Sequence, residues 1–327
     1  MTAYDPLAVA FYDIAHEGAY IRAIAEQFIH ADNRRNLAAF HGTAVRSIVI
    51  VWDSHLGAKA AALAVALSHD MAMPVMITPV VPSYVGALDL VIVLSDTGYG
   101  DAGIEQLVRS AQRGVSLVVV APPETPLARD LAEYAVMIPQ LPTHEGSSVM
   151  RMLATVWAVI QVCTSDPEVL AATLYQLADA VDEELAQCHP QQEAWLNPAQ
   201  ILAEVDGRIL HTFATESGVV DAHSQAAAAL TELIAALWAT RGKISAALTA
   251  DEQRWVQLHD RSALTDNFDA ALEIPRQSLL PLKTIVWCMP TGQAPTGYFQ
   301  PLPVPGITGI FRLVVRAYAA TAFFTAE

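Results

Sequence analysis

The sequence predicts an α/β protein built from two doubly wound parallel sheets, the second smaller or degraded. Three observations carry that reading. From Val45 to Val162, short β-branched runs alternate with longer small-apolar segments. The runs lack the strict alternation of a half-exposed strand, so they read as strands covered on both faces by helices. After Asn197 the same order of parts returns more thinly, and 327 residues suit two domains of about 150 each.

Taken in order, residues 1–44 form an N-terminal helical segment and residues 45–165 the first α/β domain. Its strands are Arg46-Ser-Ile-Val-Ile-Val-Trp52, Pro74-Val-Met-Ile-Thr78, Leu88-Asp-Leu-Val-Ile-Val-Leu94, Val115-Ser-Leu-Val-Val-Val-Ala121 and the short Tyr134–Ile138. Helices are expected at Gly57–Ser68, at Asp101–Arg113 with Gly114 as its stop, and from Glu124 to Glu133. A helical connection follows as Ser147–Cys163 and Asp166–Cys188, where Asp166-Pro167 supplies a cap and a proline at the first helical position.

Residues 166–196 act as a linker, and Asn197-Pro198 repeats the capping device at the head of the second domain, 197–327. That domain shows a strand at Gly207–Ala214, an Ala-rich helix at Val219–Thr240, a strand at Pro281–Cys288 and a closing helix at Gly306–Phe324. Periodicity is weak between Lys243 and Pro281, and Pro290–Pro305 reads as a loop from its Pro, Gly, Thr and Gln content.

Composition removes several function classes. Hydrophobic residues make up 53% and mean hydropathy is +0.33, which excludes intrinsic disorder. Lys plus Arg is 18 against Asp plus Glu 34, a net charge of -16 with no basic cluster, so duplex nucleic acid is not a partner. A spanning helix needs about 20 apolar residues. Ala58–Ser68 is interrupted by Lys59, Val149–Cys163 by Arg151, and Ile310–Ala326 by Arg312 and Arg316, so no membrane association is expected. The first residues lack the basic and apolar regions of a secretory signal. Three cysteines, Cys163, Cys188 and Cys288, stand far apart and fit structural thiols in a reduced cytoplasm.

Ligands of doubly wound sheets bind beyond the carboxyl ends of the strands, where a turn opens a helix. Three such turns are present: Trp52-Asp-Ser-His-Leu-Gly57, Ser95-Asp-Thr-Gly-Tyr-Gly-Asp101 and Thr215-Glu-Ser-Gly218. The second combines hydroxyls with glycines and suits a phosphate cradle; equally, it is an ordinary loop with Asp101 capping the next helix. In the first, Asp53 or Ser54 caps the following helix, and the Asp53 carboxylate would repel a phosphate. Neither a G-x-x-x-x-G-K-[ST] nor a G-x-G-x-x-G motif occurs, which removes nucleotide binding by those routes.

The order of parts and the Ser95–Asp101 loop resemble the sugar isomerase (SIS) domain, where the loop reads Ser-x-Ser-Gly-x-Thr-x-Glu and holds the sugar phosphate. Met73-Pro-Val-Met-Ile, Val81-Pro-Ser-Tyr-Val-Gly86 and Leu90-Val-Ile-Val-Leu-Ser95 are similar to the stretch before that loop in bifunctional phosphoglucose/phosphomannose isomerases. The resemblance implies two flavodoxin-like domains and phosphate binding by Ser95, Thr97 and Gly98. Gly100 stands where the family has a threonine, and Ser54 and Gly57 match its Gly-x-Gly-Gly-Ser turn.

The family's catalytic glutamate and ring-opening histidine find their nearest counterparts in Glu232 and His259; the ordinary reading of Glu232 is a polar helix-face residue and that of His259 a surface or structural histidine. Basic residues near the ligand end are Lys59, Arg151 and Lys243, and the net acidity opposes an anionic substrate at long range. The implied function is aldose–ketose isomerisation of glucose 6-phosphate or mannose 6-phosphate to fructose 6-phosphate, by a homodimer, with no cofactor and no metal. The alternative is a phosphosugar sensor or scaffold without catalysis, since the first turn and the glutamate motif depart from the family.

Overall fold

The computed structural model describes residues 5–29, 36–69, 71, 73–96, 101–141, 148–214, 222–259, 280–290, 292 and 294–324. The chain divides into two compact units, one spanning Tyr12–Glu183, the other made of the residues up to Phe11 together with those from Glu184 onward.

Two helices, α1 (Pro6–Ile14) and α2 (Glu17–Ile29), come before the first strand. The run of Ile and Val at the head of the α/β pattern becomes β1 (Ser47–Trp52), in which Ile48, Val49, Ile50 and Val51 are all buried. Each such side chain contributes about 1.5–3 kcal/mol relative to exposure. Then follow α3 (His55–Ala66), β2 (Val75–Thr78), β3 (Asp89–Leu94), α4 (Asp101–Gln112), β4 (Ser116–Val120), α5 (Pro126–Leu131), β5 (Ala135–Met137) and α6 (Val149–Val162). All five strands are parallel, in the order β2-β1-β3-β4-β5. Gly114 ends α4 with φ of +89°, a conformation that a side chain would strain. Every residue of α6 except Gln161 is buried, because α2 and α3 both pack against it.

The boundary between the units falls within α7 (Pro167–Cys188), whose first turn is capped as expected: Asp166 Oδ1 accepts from the amides of Glu168 and Val169. In the second unit, Asn197 caps α8 (Pro198–Ala203) through Oδ1, while its Nδ2 donates to the carbonyls of Cys188 and His189. The elements β6 (Arg208–Phe213), α9 (Ala222–Thr240), β7 (Ser245–Ala247), α10 (Ala250–His259), β8 (Leu282–Met289), β9 (Phe299–Pro301) and α11 (Ile307–Ala320) complete it. The second sheet is parallel and smaller, in the order β7-β6-β8-β9. Among the described residues no helix is long and apolar enough to cross a membrane.

Two stretches differ from the sequence expectation. The weakly periodic stretch after Lys243 contains β7 and α10, and α10 has no buried residue, so it carries no apolar stripe to read. The expected loop Pro290–Pro305 contains β9, a three-residue edge strand on β8. A proline is tolerated there because an edge strand has one side free of ladder bonds. Gln300 at its centre is fully buried, its Oε1 accepting from Arg316 Nη1 at 3.1 Å. Arg316 and Arg312 both donate to the buried Glu184, at 2.6 and 2.9 Å, so one carboxylate ties α11 to the end of α7.

Candidate functional site

Strand order reverses in the first sheet between β1 and β3: the chain moves outward from β1 to β2 and comes back to β3 on the other side of β1. Such a reversal opens the crevice where doubly wound folds bind ligands. Trp52 is in register with Leu94, so the turns Asp53-Ser54 and Ser95-Asp96 leave the sheet side by side. The Asp53 amide donates to the Leu94 carbonyl at 3.2 Å and extends the ladder by one step.

At the crevice the two turns hold each other. The Ser95 hydroxyl donates to Asp53 Oδ2 at 2.5 Å, and the Asp96 amide donates to Asp53 Oδ1 at 3.1 Å. In the reverse direction the Ser54 hydroxyl donates to Asp96 Oδ2 at 2.6 Å. Ser54 is also the cap of α3, its Oγ accepting from the Gly57 amide at 3.1 Å, which agrees with the capping role read from the sequence. A hydroxyl has one proton to give. Both serines assigned to phosphate binding therefore direct that proton to a carboxylate of the chain itself.

Gly57 lies against this turn: a Cβ there would come within 3.2 Å of Ser54 Oγ and 3.5 Å of Leu94 Cβ. Thr97, Gly98 and Gly100 lie outside the described residues, as does the third turn, Thr215–Gly218. Asp96 is the participant that sequence reasoning did not single out; it stands two residues past β3, as Ser54 stands two past β1, so each turn places one acid and one serine after its strand.

Positive charge at the same sheet edge comes from Arg151. It donates through Nη2 to the carbonyls of Ala121 at 2.9 Å and Ile138 at 2.5 Å, which stitches together the ends of β4 and β5. Burial lowers its pKa to about 10, with Tyr20 and Asp96 acting in the opposite direction, so the guanidinium stays charged at neutral pH. At the start of α6, the buried Glu17 accepts from the Met150 amide at 2.7 Å and from the Ser148 hydroxyl at 3.0 Å. Burial pushes the Glu17 carboxyl up to about 8 despite those two donors.

The catalytic candidates belong to the second unit. Glu232 is exposed and sits nearly three turns into α9, about 15 Å along the axis from Ala222 at 1.5 Å per residue. His259 is the exposed last residue of α10, its Nδ1 2.7 Å from the Trp255 carbonyl and its ring 4.3 Å from that of Trp255. Lys243 pairs with Asp206 at 3.0 Å. In the second sheet the strand order reverses between β6 and β8, and β8 ends in a bulge where Cys288 takes φ of +57°.

No family model matches the chain, and no curated protein matches its sequence. Solved structures match it in fold, and the class they define is the sugar isomerase (SIS) fold. Tagatose-6-phosphate ketose/aldose isomerase from Escherichia coli aligns with a TM-score of 0.56 and 13% identity, over 96% of this chain and 91% of its own. The C-terminal domain of glucosamine-fructose-6-phosphate aminotransferase from Francisella tularensis gives 0.56 and 12%, over 99% and 97%. A protein described as sugar binding, from Salmonella typhimurium LT2, gives 0.59 and 11%, over 97% and 100%. At these identities the likeness is one of fold.

Proposed function

We propose that the protein binds a sugar phosphate at the carboxyl edge of its first sheet and does not isomerise it. The observation that carries this reading is the Asp53 carboxylate seated on the Ser95 hydroxyl and the Asp96 amide. By resemblance, the hydroxyl of Ser95 is one that an isomerase of this fold gives to substrate phosphate; here an internal anion holds it. The reading assigns the ligand phosphate to Thr97 and to the amides of Gly98 and Gly100, where α4 begins and helix-end N–H groups favour an anion. Arg151, on α6, supports it by lending positive charge to the same edge while keeping its bonds to the Ala121 and Ile138 carbonyls.

Conversion of glucose 6-phosphate or mannose 6-phosphate to fructose 6-phosphate needs a carboxylate at the C1–C2 bond with a pKa near working pH. Glu232, exposed and far along α9, is poorly placed for that work at the strand ends of its own sheet. The proposal includes a homodimer in a cytoplasmic setting, the first of which sedimentation measures.

Thermal denaturation with and without glucose 6-phosphate tests the binding, with unphosphorylated glucose as the control. We expect a rise in melting temperature with the phosphate ester alone, abolished by Thr97→Val, and no coupled turnover above that of Glu232→Gln. Turnover of either hexose phosphate above that control would establish an isomerase. A melting temperature indifferent to every sugar phosphate would leave a scaffold.

A further inference from the structure

β2 is an edge strand: in the order β2-β1-β3-β4-β5 it pairs with β1 alone. The Ile48 amide donates to the Pro74 carbonyl at 3.0 Å, and the register sets Val75 beside Ile48 and Ile77 beside Ile50. Backbone groups alternate sides along a strand, so Met76 and Thr78 turn theirs toward β1, while Val75 and Ile77 turn theirs away. Among the described residues none pairs with those outward N–H and C=O groups.

Sheet edges are ordinarily guarded by a charge, a proline within the strand, a bulge or a covering element. β2 carries no charge, its prolines Pro74 and Pro79 flank it, and its register on β1 runs without a shift. From residue 71 to residue 88 the chain has no Asp, Glu, Lys, Arg or His, although its net charge is -16. Met76, in the middle of the edge, is 42% exposed, and Val80 and Tyr84 of the following connection are exposed as well. The Tyr84 hydroxyl donates to Met76 Sδ at 3.3 Å, which sets the ring beside the edge.

This charge pattern selects the occupant. Copies of so acidic a chain repel one another wherever their charges face, so they meet most readily along an uncharged stretch. An edge strand is also its own complement: turned about a two-fold axis, β2 meets a second β2 antiparallel. Val75 then exchanges both backbone bonds with the partner's Ile77, and the two Met76 side chains come face to face between those pairs. A stable interface buries about 800 Å² on each partner, and Val80 and Tyr84 add apolar area beside the strand.

We propose that the homodimer forms by antiparallel pairing of β2 with β2 of a second copy, with Met76 on the two-fold axis. Two five-stranded sheets become one, and both β2 edges are consumed, so this contact closes at two copies. The inference rests on the homodimer in the proposed function and is independent of the phosphosugar.

Sedimentation and cross-linking of the full chain test it. The wild type should sediment as a dimer. Residues opposed in such a non-hydrogen-bonded pair have Cα atoms about 4.5 Å apart, within the span of a disulfide, so Met76→Cys should oxidise to a linked dimer. The wild type and Leu88→Cys should not link, because Leu88 leads into β3, beyond β1 from the edge. Met76→Lys and Met76→Glu should each weaken self-association by at least about tenfold, and an equimolar mixture of the two should restore the dimer. Both should melt like the wild type under monomeric conditions, since Met76 is exposed. A dimer that Met76→Cys does not link, or that Met76→Lys leaves intact, would overturn the β2 contact and leave the homodimer standing. A wild-type monomer would overturn both.

Discussion

Ser95 gives its hydroxyl proton to Asp53, a carboxylate on the neighbouring strand's turn, at the point where the strand order of the first sheet reverses. The crevice that the topology opens is thereby bridged by the chain itself. A short side chain at position 53 should reopen it. Asp53→Ser is expected to enlarge the thermal shift produced by glucose 6-phosphate, because the Ser95 hydroxyl and the Asp96 amide become available to an anion. The same change should cost about 1.5–3 kcal/mol of stability, the usual worth of a hydrogen bond to a charged group. An unchanged ligand shift in Asp53→Ser would mean that Asp53 does not compete with the ligand.

Glu17 should make stability fall with rising pH. Its carboxyl is raised from 4.5 to about 8, so the folded chain holds a proton there that the unfolded chain has lost. That contribution is complete below pH 4.5 and disappears as pH climbs through 8. Asp13 adds to the rise, while Met150 and Ser148 oppose it. Urea midpoints measured from pH 5 to 9 should slope downward in the wild type and less steeply in Glu17→Gln, which should be the more stable of the two at pH 9.

His211 should act in the opposite sense at low pH. The Trp287 indole is a donor only, and it gives its proton to His211 Nδ1 at 3.0 Å. Nε2 therefore carries the ring proton and donates to Ser245 Oγ at 2.9 Å. Burial lowers the pKa from 6.5 to about 3, so this contribution is full above pH 6.5 and is lost as pH falls toward 3. By NMR the ring should remain neutral from pH 5 to 8. His211→Leu leaves the Trp287 N–H without its acceptor and should cost about 1–3 kcal/mol.

Arg316→Met should be among the costliest single changes in the second unit. It removes one of the two arginines on the buried Glu184 and also the donor to Gln300. Breaking a buried pair from one side costs about 3–5 kcal/mol, because a charge is left behind without its counter-ion. A urea midpoint within error of the wild type would show that Glu184 and Gln300 repair the loss through Arg312.

The parts of the fold that could be read from the sequence are those whose burial is written in residue type. β1, β3 and β4 are runs of Ile, Val and Leu covered on both faces, and Gly114, Asp166 and Asn197 mark helix ends by the bonds they make. β7 and β9 have three residues each and sit at sheet edges, where neighbours rather than composition define a strand. At the candidate site, Ser54 was legible as a cap. The sequence also showed Asp53 as an acid out of place beside a phosphate loop. Its partner was not legible, because the bond to Ser95 follows from the pairing of Trp52 with Leu94 across the sheet.

The order of the second sheet also has a temporal consequence. β6 is the inner strand on which β8 forms, with Arg208 opposite Leu282, yet those partners stand far apart in the sequence. At a synthesis rate of about 5–20 residues per second, the roughly 70 residues between them take about 4–14 s to emerge from a ribosome. During that interval the nascent β6 offers one row of backbone amides and carbonyls to whatever strand it meets. The first sheet, whose β1 and β3 lie closer together in the chain, closes sooner.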